Sequence, residues 1–206
     1  MSRTGLRVGL MGGSFDPIHI GHCVLAEEVR HHHALDRVIF LPAAQSPHKP
    51  KEPRASSDQR RRMVEAAIAG NPAFQMSTTE LERGGVSYTV ETVESLLAER
   101  PEDRFLFMAG ADILPDLADW HRVSELLDML PFVIADRPGS ALEALDAIED
   151  SLGAVLVARL KADRIVIPQL EVSSSDIRER VRTGRSIRHL VPEGVEGIIR
   201  DEGLYR

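Results

Sequence analysis

The chain predicts an α/β fold built on a mainly parallel sheet with helices on both faces. Three observations point there. Short apolar, β-rich runs alternate with segments of helical periodicity. A glycine-rich turn, GGSFDPIHIGH (Gly12 to His22), joins the first run to the first helical segment. Two helical patterns with no strand between them, Ser173–Thr183 and Pro192–Glu202, follow the last run.

The runs come in this order. Leu6–Met11 reads as the first strand and Val24–His32 as the helix after it. Arg37–Pro42, Phe105–Ala109, Phe132–Asp136 and Arg164–Pro168 read as further strands, with Phe74–Thr78 as a weaker one. Ser57–Ala69 reads as a helix capped by Ser57 or Asp58, with Met63, Ala66 and Ala67 as its apolar stripe. Tyr88–Arg100 reads as another, capped by Ser87, and Leu142–Leu152 as a third. Such alternation gives βαβ units and a Rossmann-like, doubly wound parallel sheet. With 206 residues, the expectation is one domain: a core over 1–170 and a small helical segment over 171–206.

Composition narrows the partners. Lysine plus arginine total 25 against 32 acidic residues, a net charge of −7, which argues against a nucleic-acid binder. The single cysteine, Cys23, excludes an internal disulfide and multi-cysteine metal sites, and is expected to face the core. No apolar run reaches transmembrane length and no signal-peptide core is visible, so the expected setting is the cytoplasm, with no membrane partner. An oligomer is compatible with all of this.

The glycine turn is the first candidate site. Glycines after a strand let a ligand approach the backbone, and the amides at a helix start favour an anion such as phosphate. His19 and His22, three residues apart, fall on one face of the incoming helix and add donors. The loop Gln45–Ser57 is proline-rich and basic and is expected to order over substrates. Ser173 to Ser175 are good cap residues, and Arg178 follows one turn along. Trp120, flanked by Asp119 and His121, suits a pocket rim where it can stack on a ring. Asp16 and Pro17 read as shaping the turn, and His31 to His33 as an exposed helix end.

Several of these elements, in this order, resemble the HxGH nucleotidyltransferase superfamily and, within it, the bacterial nicotinate-nucleotide adenylyltransferases. The elements are GGSFDPIHIGH, Pro47-His48-Lys49, SYTVET (Ser87 to Thr92), Gly110-Ala111-Asp112, Trp120, Arg137-Pro138-Gly139, VSSSDIR (Val172 to Arg178) and the closing VPEGV…GLY. Ser14, Glu91, His121 and Ser175 depart from the usual family residues.

The resemblance implies adenylyl transfer from ATP to nicotinate mononucleotide, giving deamido-NAD and pyrophosphate, with Mg²⁺ carried on the ATP phosphates. It implies His19, His22, Lys49 and Arg178 as catalytic donors. It places Gly12, Gly13, Ser14, Phe15, Gly21 and the two histidines at ATP, together with Gly110, Asp112, Ser174, Ser175 and Arg178. Ser14, Lys49, Thr89, Trp120, His121 and Arg137 fall to the mononucleotide. Backbone amides near Thr89 and at His121 would favour a carboxylate over a carboxamide. Alternatives on the same fold are another acceptor, such as nicotinamide mononucleotide, or a non-catalytic nucleotide sensor.

Overall fold

A computed structural model describes residues 5–47, 54–136, 141–168 and 170–206. Six strands form one sheet: β1 (Arg7–Gly13), β2 (Arg37–Pro42), β3 (Phe74–Met76), β4 (Arg104–Gly110), β5 (Phe132–Asp136) and β6 (Ile165–Val166). Their order is β3-β2-β1-β4-β5-β6, the doubly wound arrangement expected from the sequence. β1, β4, β5 and β6 pair in parallel, with Leu10 opposite Phe107, Met108 opposite Val133 and Ala135 opposite Ile165. Val8, Leu10, Phe107, Val133 and Ile134 are all buried, which is why these strands read as unbroken apolar runs. The order reverses between β1 and β4, where sheets of this class receive ligands beyond their carboxyl ends. Those ends carry Gly12-Gly13 and Gly110.

The helices among the described residues are α1 (Ile20–His32), α2 (Ser57–Ile68), α3 (Thr79–Arg83), α4 (Thr89–Glu99), α5 (Leu114–Leu117), α6 (Val123–Met129), α7 (Ala141–Ala147), α8 (Glu149–Leu152), α9 (Ala154–Ala162), α10 (Ser174–Arg182) and α11 (Glu193–Asp201). None is long and apolar enough to cross a membrane.

Contacts divide the chain into two compact units. One comprises 1–12, 25–38 and 88–169; within it α4 packs with α6, and α9 packs on β5. The other comprises 13–24, 39–87 and 170–206; within it α2 packs against α11 and β3.

Four local expectations are corrected. α2 is capped by Ser56 rather than Ser57 or Asp58. Ser56 and Gln59 form a reciprocal capping box, Gln59 N–H donating to Ser56 Oγ and Ser56 N–H to Gln59 Oε1. Ser57 and Asp58 have arginines three residues on and cannot form one. α4 is not capped by Ser87, whose hydroxyl instead accepts the Ala44 N–H at 3.0 Å. The helix expected over 142–152 breaks at Ile148 into α7 and α8. Gly153 (φ 85°) then separates α8 from α9, which the sequence reading did not place. Cys23 is half-buried rather than core.

Candidate active site

In the second unit, β1 ends in the Gly13-Ser14 turn, and α1 begins immediately after His19. The His19 carbonyl accepts the first helical N–H groups, from His22 at 3.0 Å and Cys23 at 3.4 Å. The two histidine rings stack with centroids 3.7 Å apart. His22 Nδ1 accepts the His19 backbone N–H at 3.1 Å. An imidazole that accepts at Nδ1 carries its proton on Nε2, so Nε2–H is the donor His22 has to offer. Phe15, held at φ 48° and fully buried, sets its ring edge-on to His22 with centroids 5.1 Å apart. A bulky residue in that left-handed region costs on the order of 1–3 kcal/mol and persists only where packing over-determines it. Gly21 admits close packing: a Cβ there would meet Val172 Cγ1 at 3.0 Å.

Asp16 is the structural centre of this unit, although the sequence suggests only a turn former. Its peptide to Pro17 is cis. Its buried carboxylate accepts three hydrogen bonds: Arg54 N–H at 2.9 Å, Ala55 N–H at 3.1 Å and the Tyr205 hydroxyl at 2.7 Å. Its carbonyl accepts from Arg178 Nη1 at 2.6 Å. The same Nη1 lies 3.8 Å from Asp16 Oδ2. Arg178 Nε is buried and has no hydrogen-bond partner among the described residues. An orphaned charged donor of this kind fits a phosphate oxygen. Tyr205 is itself strained, at φ 64°, and buried. Burial pushes its phenol pKa well above the ordinary range, with the Asp16 charge adding to the shift.

Arg60 is a second centre that the sequence reading missed. It is 1% exposed. Its guanidinium donates to the carbonyls of Ser14 (2.8 Å), Ala43 (2.6 Å) and Ala44 (3.0 Å), tying the turn after β1 to the end of β2. It looks solvated in the run Arg60-Arg61-Arg62, but it stands three and four residues before the buried Met63 and Val64. That spacing was the available signal.

α10 opens with Ser173 as N-cap, its hydroxyl accepting the Asp176 N–H at 3.1 Å. The Ser174 hydroxyl donates to the Pro17 carbonyl at 2.9 Å, so it braces the turn. Ser175 is exposed, with its hydroxyl 3.2 Å from Ser173 Oγ. The structure thus brings Ser14, Phe15, His19, Gly21, His22, Ser174, Ser175 and Arg178 into one compact unit. Lys49 lies outside the described residues, as does Arg137.

In the first unit, Gly110 ends β4, and Asp112 lies in the 3-10 turn Ala111–Ile113. A Cβ at Gly110 would sit 2.5 Å from Oδ1 of the exposed Asp112, so any larger residue here would turn that carboxylate away from the strand end. Gly12, exposed at the end of β1, also belongs here. The half-buried Thr89 is the first residue of α4, whose N-cap Tyr88 makes no capping side-chain bond. The start of α4 thus carries no bond from an N-cap side chain, which suits an anionic ligand. The Tyr88 and His121 rings lie 4.5 Å apart. Trp120 is half-buried, its ring edge-on to Phe107 and Phe132 at 6.1 Å each. Arg122 follows at φ 52°, its guanidinium held by Glu94 (2.7 Å) and Glu125 (2.6 Å).

Residues 10–180 match the family model described as cytidylyltransferase-like. A protein of Geobacillus thermodenitrificans named "Probable nicotinate-nucleotide adenylyltransferase" is 42% identical over 199 residues, covering 97% of this chain and 86% of that one. The chain belongs to the nicotinate-nucleotide adenylyltransferase family. A relative of the same name from Moorella thermoacetica is 43% identical over 207 residues, with 100% of this chain and 94% of that one covered. A solved structure of the Plasmodium falciparum nicotinic acid mononucleotide adenylyltransferase, complexed with NaAD, shares the fold. It superposes with a TM-score of 0.76 at 18% identity, over 97% of each chain. The chain is thus a nucleotidyltransferase of the family that the motifs suggested.

Proposed function

We propose that this chain transfers the adenylyl group of ATP to nicotinate mononucleotide, forming deamido-NAD and releasing pyrophosphate. The observation that carries the reading is the stacked His19–His22 pair at the head of α1, with its single Nε2 donor, in a chain of this family.

A phosphate oxygen of the mononucleotide attacks the α-phosphorus in line. The bond from that phosphorus to the bridging oxygen breaks, and pyrophosphate leaves with the electron pair. The attacking oxygen is already ionised near neutral pH, so the protein needs no general base and forms no covalent intermediate. Its work is to position two polyanions and to stabilise the charge that grows at the α-phosphate. His22 Nε2–H donates there. The Ser174 and Ser175 backbone N–H groups at the start of α10, with Arg178, receive the β- and γ-phosphates. His19 and Lys49 supply the remaining donors, and Asp112 the ribose contact.

On the acceptor side, the N–H groups at the start of α4 and the Thr89 hydroxyl donate to the pyridine carboxylate. A carboxamide nitrogen, itself a donor, is disfavoured there. Trp120 stacks on the pyridine ring, the His121 amide adds a donor, and Arg137 binds the phosphate. Mg²⁺ enters as part of the ATP substrate. Among the described residues no group of three His, Cys, Asp or Glu side chains could hold a metal ion, and the histidine, arginine and serine donors match phosphate oxygens rather than a cation. The cytoplasm is the compartment that fits a single free cysteine. Chromatographic detection of deamido-NAD formed from the two substrates is the test; its absence would refute the reading.

A further inference from the structure

We infer that the Tyr205 hydroxyl is a spacer that keeps Arg178 available to the substrate phosphates. The inference rests on reading Arg178 as an anion donor. The Asp16 carboxylate would otherwise be a natural partner for that guanidinium. It holds Arg178 Nη1 at 3.8 Å from Oδ2, beyond hydrogen-bond reach, while the Asp16 carbonyl anchors the same nitrogen at 2.6 Å. Oδ1 accepts from Ala55 N–H and Tyr205 O–H, and Oδ2 accepts from Arg54 N–H.

Two of the three donors to the carboxylate are backbone N–H groups, of Arg54 and Ala55. Tyr205 is the only side chain among them. Its left-handed backbone and buried ring show that packing holds it in place at a cost to its own conformation. Without the hydroxyl, Asp16 Oδ1 has an unsatisfied lone pair in a buried site. The nearby guanidinium, already paired with Oδ2 at 3.8 Å, can answer it by closing to direct hydrogen-bonding distance of the carboxylate. Arg178 would then turn its charge inward, and its unpartnered Nε would no longer be aimed by the carbonyl anchor alone. Tyr205 is therefore a positioning residue, acting through Asp16 on Arg178.

The test measures binding of inorganic tripolyphosphate to the full chain by titration calorimetry, a readout that does not depend on which nucleotide accepts the adenylyl group. Tyr205→Phe should weaken binding five- to twentyfold, and should cause no further loss beyond twofold in an Arg178→Ala background. Parental affinity in Tyr205→Phe overturns the inference, and so does an equal loss without Arg178, which would mark a structural effect. No saturable binding by the parent also overturns it. A thermal melt accompanies each titration: a Tyr205→Phe chain that is unfolded at the titration temperature overturns the inference, because the hydroxyl would then be structural. Failure to make deamido-NAD alongside the expected tripolyphosphate results would refute the acceptor assignment alone.

Discussion

His22 Nδ1 accepts the backbone N–H of His19 at 3.1 Å while the two rings stack 3.7 Å apart. One bond fixes both the tautomer and the direction of the ring, so Nε2–H is the donor that this ring presents. Preorganisation of this kind is what makes a donor worth more in the transition state than in the ground state. Replacing His22 with alanine should lower turnover roughly a hundredfold or more while the Michaelis constant for ATP changes little. Steady-state kinetics decide this, and near-normal turnover would remove His22 from the role.

Trp120→Ala should act on the other substrate. Loss of a stacking face is worth about 0.5–1.5 kcal/mol, so the Michaelis constant for the mononucleotide should rise roughly two- to thirteenfold. The ring also packs edge-on to Phe107 and Phe132, so a thermal melt must accompany the kinetics. An unchanged constant for the mononucleotide would count against stacking.

Arg60 should matter for stability before chemistry. Removing its guanidinium leaves the carbonyls of Ser14, Ala43 and Ala44 without their donor. Arg60→Met should cost about 3 kcal/mol or more, read as a lower midpoint in urea unfolding. A loss under about 1 kcal/mol would mean that water replaces the side chain.

Alkaline pH should loosen the fold through two groups. Burial pushes the Cys23 thiol up to about 11 and the Tyr205 phenol well above its ordinary value. Both folded values are raised, so the stability they contribute is complete below the unfolded values, about 8.5 for a thiol and about 10 for a phenol. It is lost as pH rises through the folded ones. The urea midpoint should stay level to about pH 8.5 and fall from about 9 to 11 and beyond. At pH 8, alkylation of Cys23 should run roughly 200-fold slower in the folded chain than in the unfolded one. Equal rates would contradict the shift.

The strands and the motif turn were legible because their signals are local. Arg37–Pro42 and Phe132–Asp136 are unbroken apolar runs, and the structure keeps them at the same bounds. β6 shrinks to Ile165–Val166. α3, α5, α6 and α9 went unread, and the α7–α8 break at Ile148 carries no proline or glycine to announce it. In the site, the glycines and histidines announce themselves, whereas Asp16 and Tyr205 are 189 positions apart. No periodicity links such a pair; only the folded chain brings a phenol to a buried carboxylate. Arg60 was hidden differently, as the one buried member of a charged run.

The most direct measurement is pyrophosphate release from MgATP with nicotinate mononucleotide, compared with nicotinamide mononucleotide, in a coupled assay. The expected result is turnover with the nicotinate form, at a kcat/KM about tenfold or more above the nicotinamide form, because backbone N–H donors cannot pair with an amide nitrogen. No pyrophosphate with nicotinate mononucleotide would contradict the assignment of acceptor and reaction together.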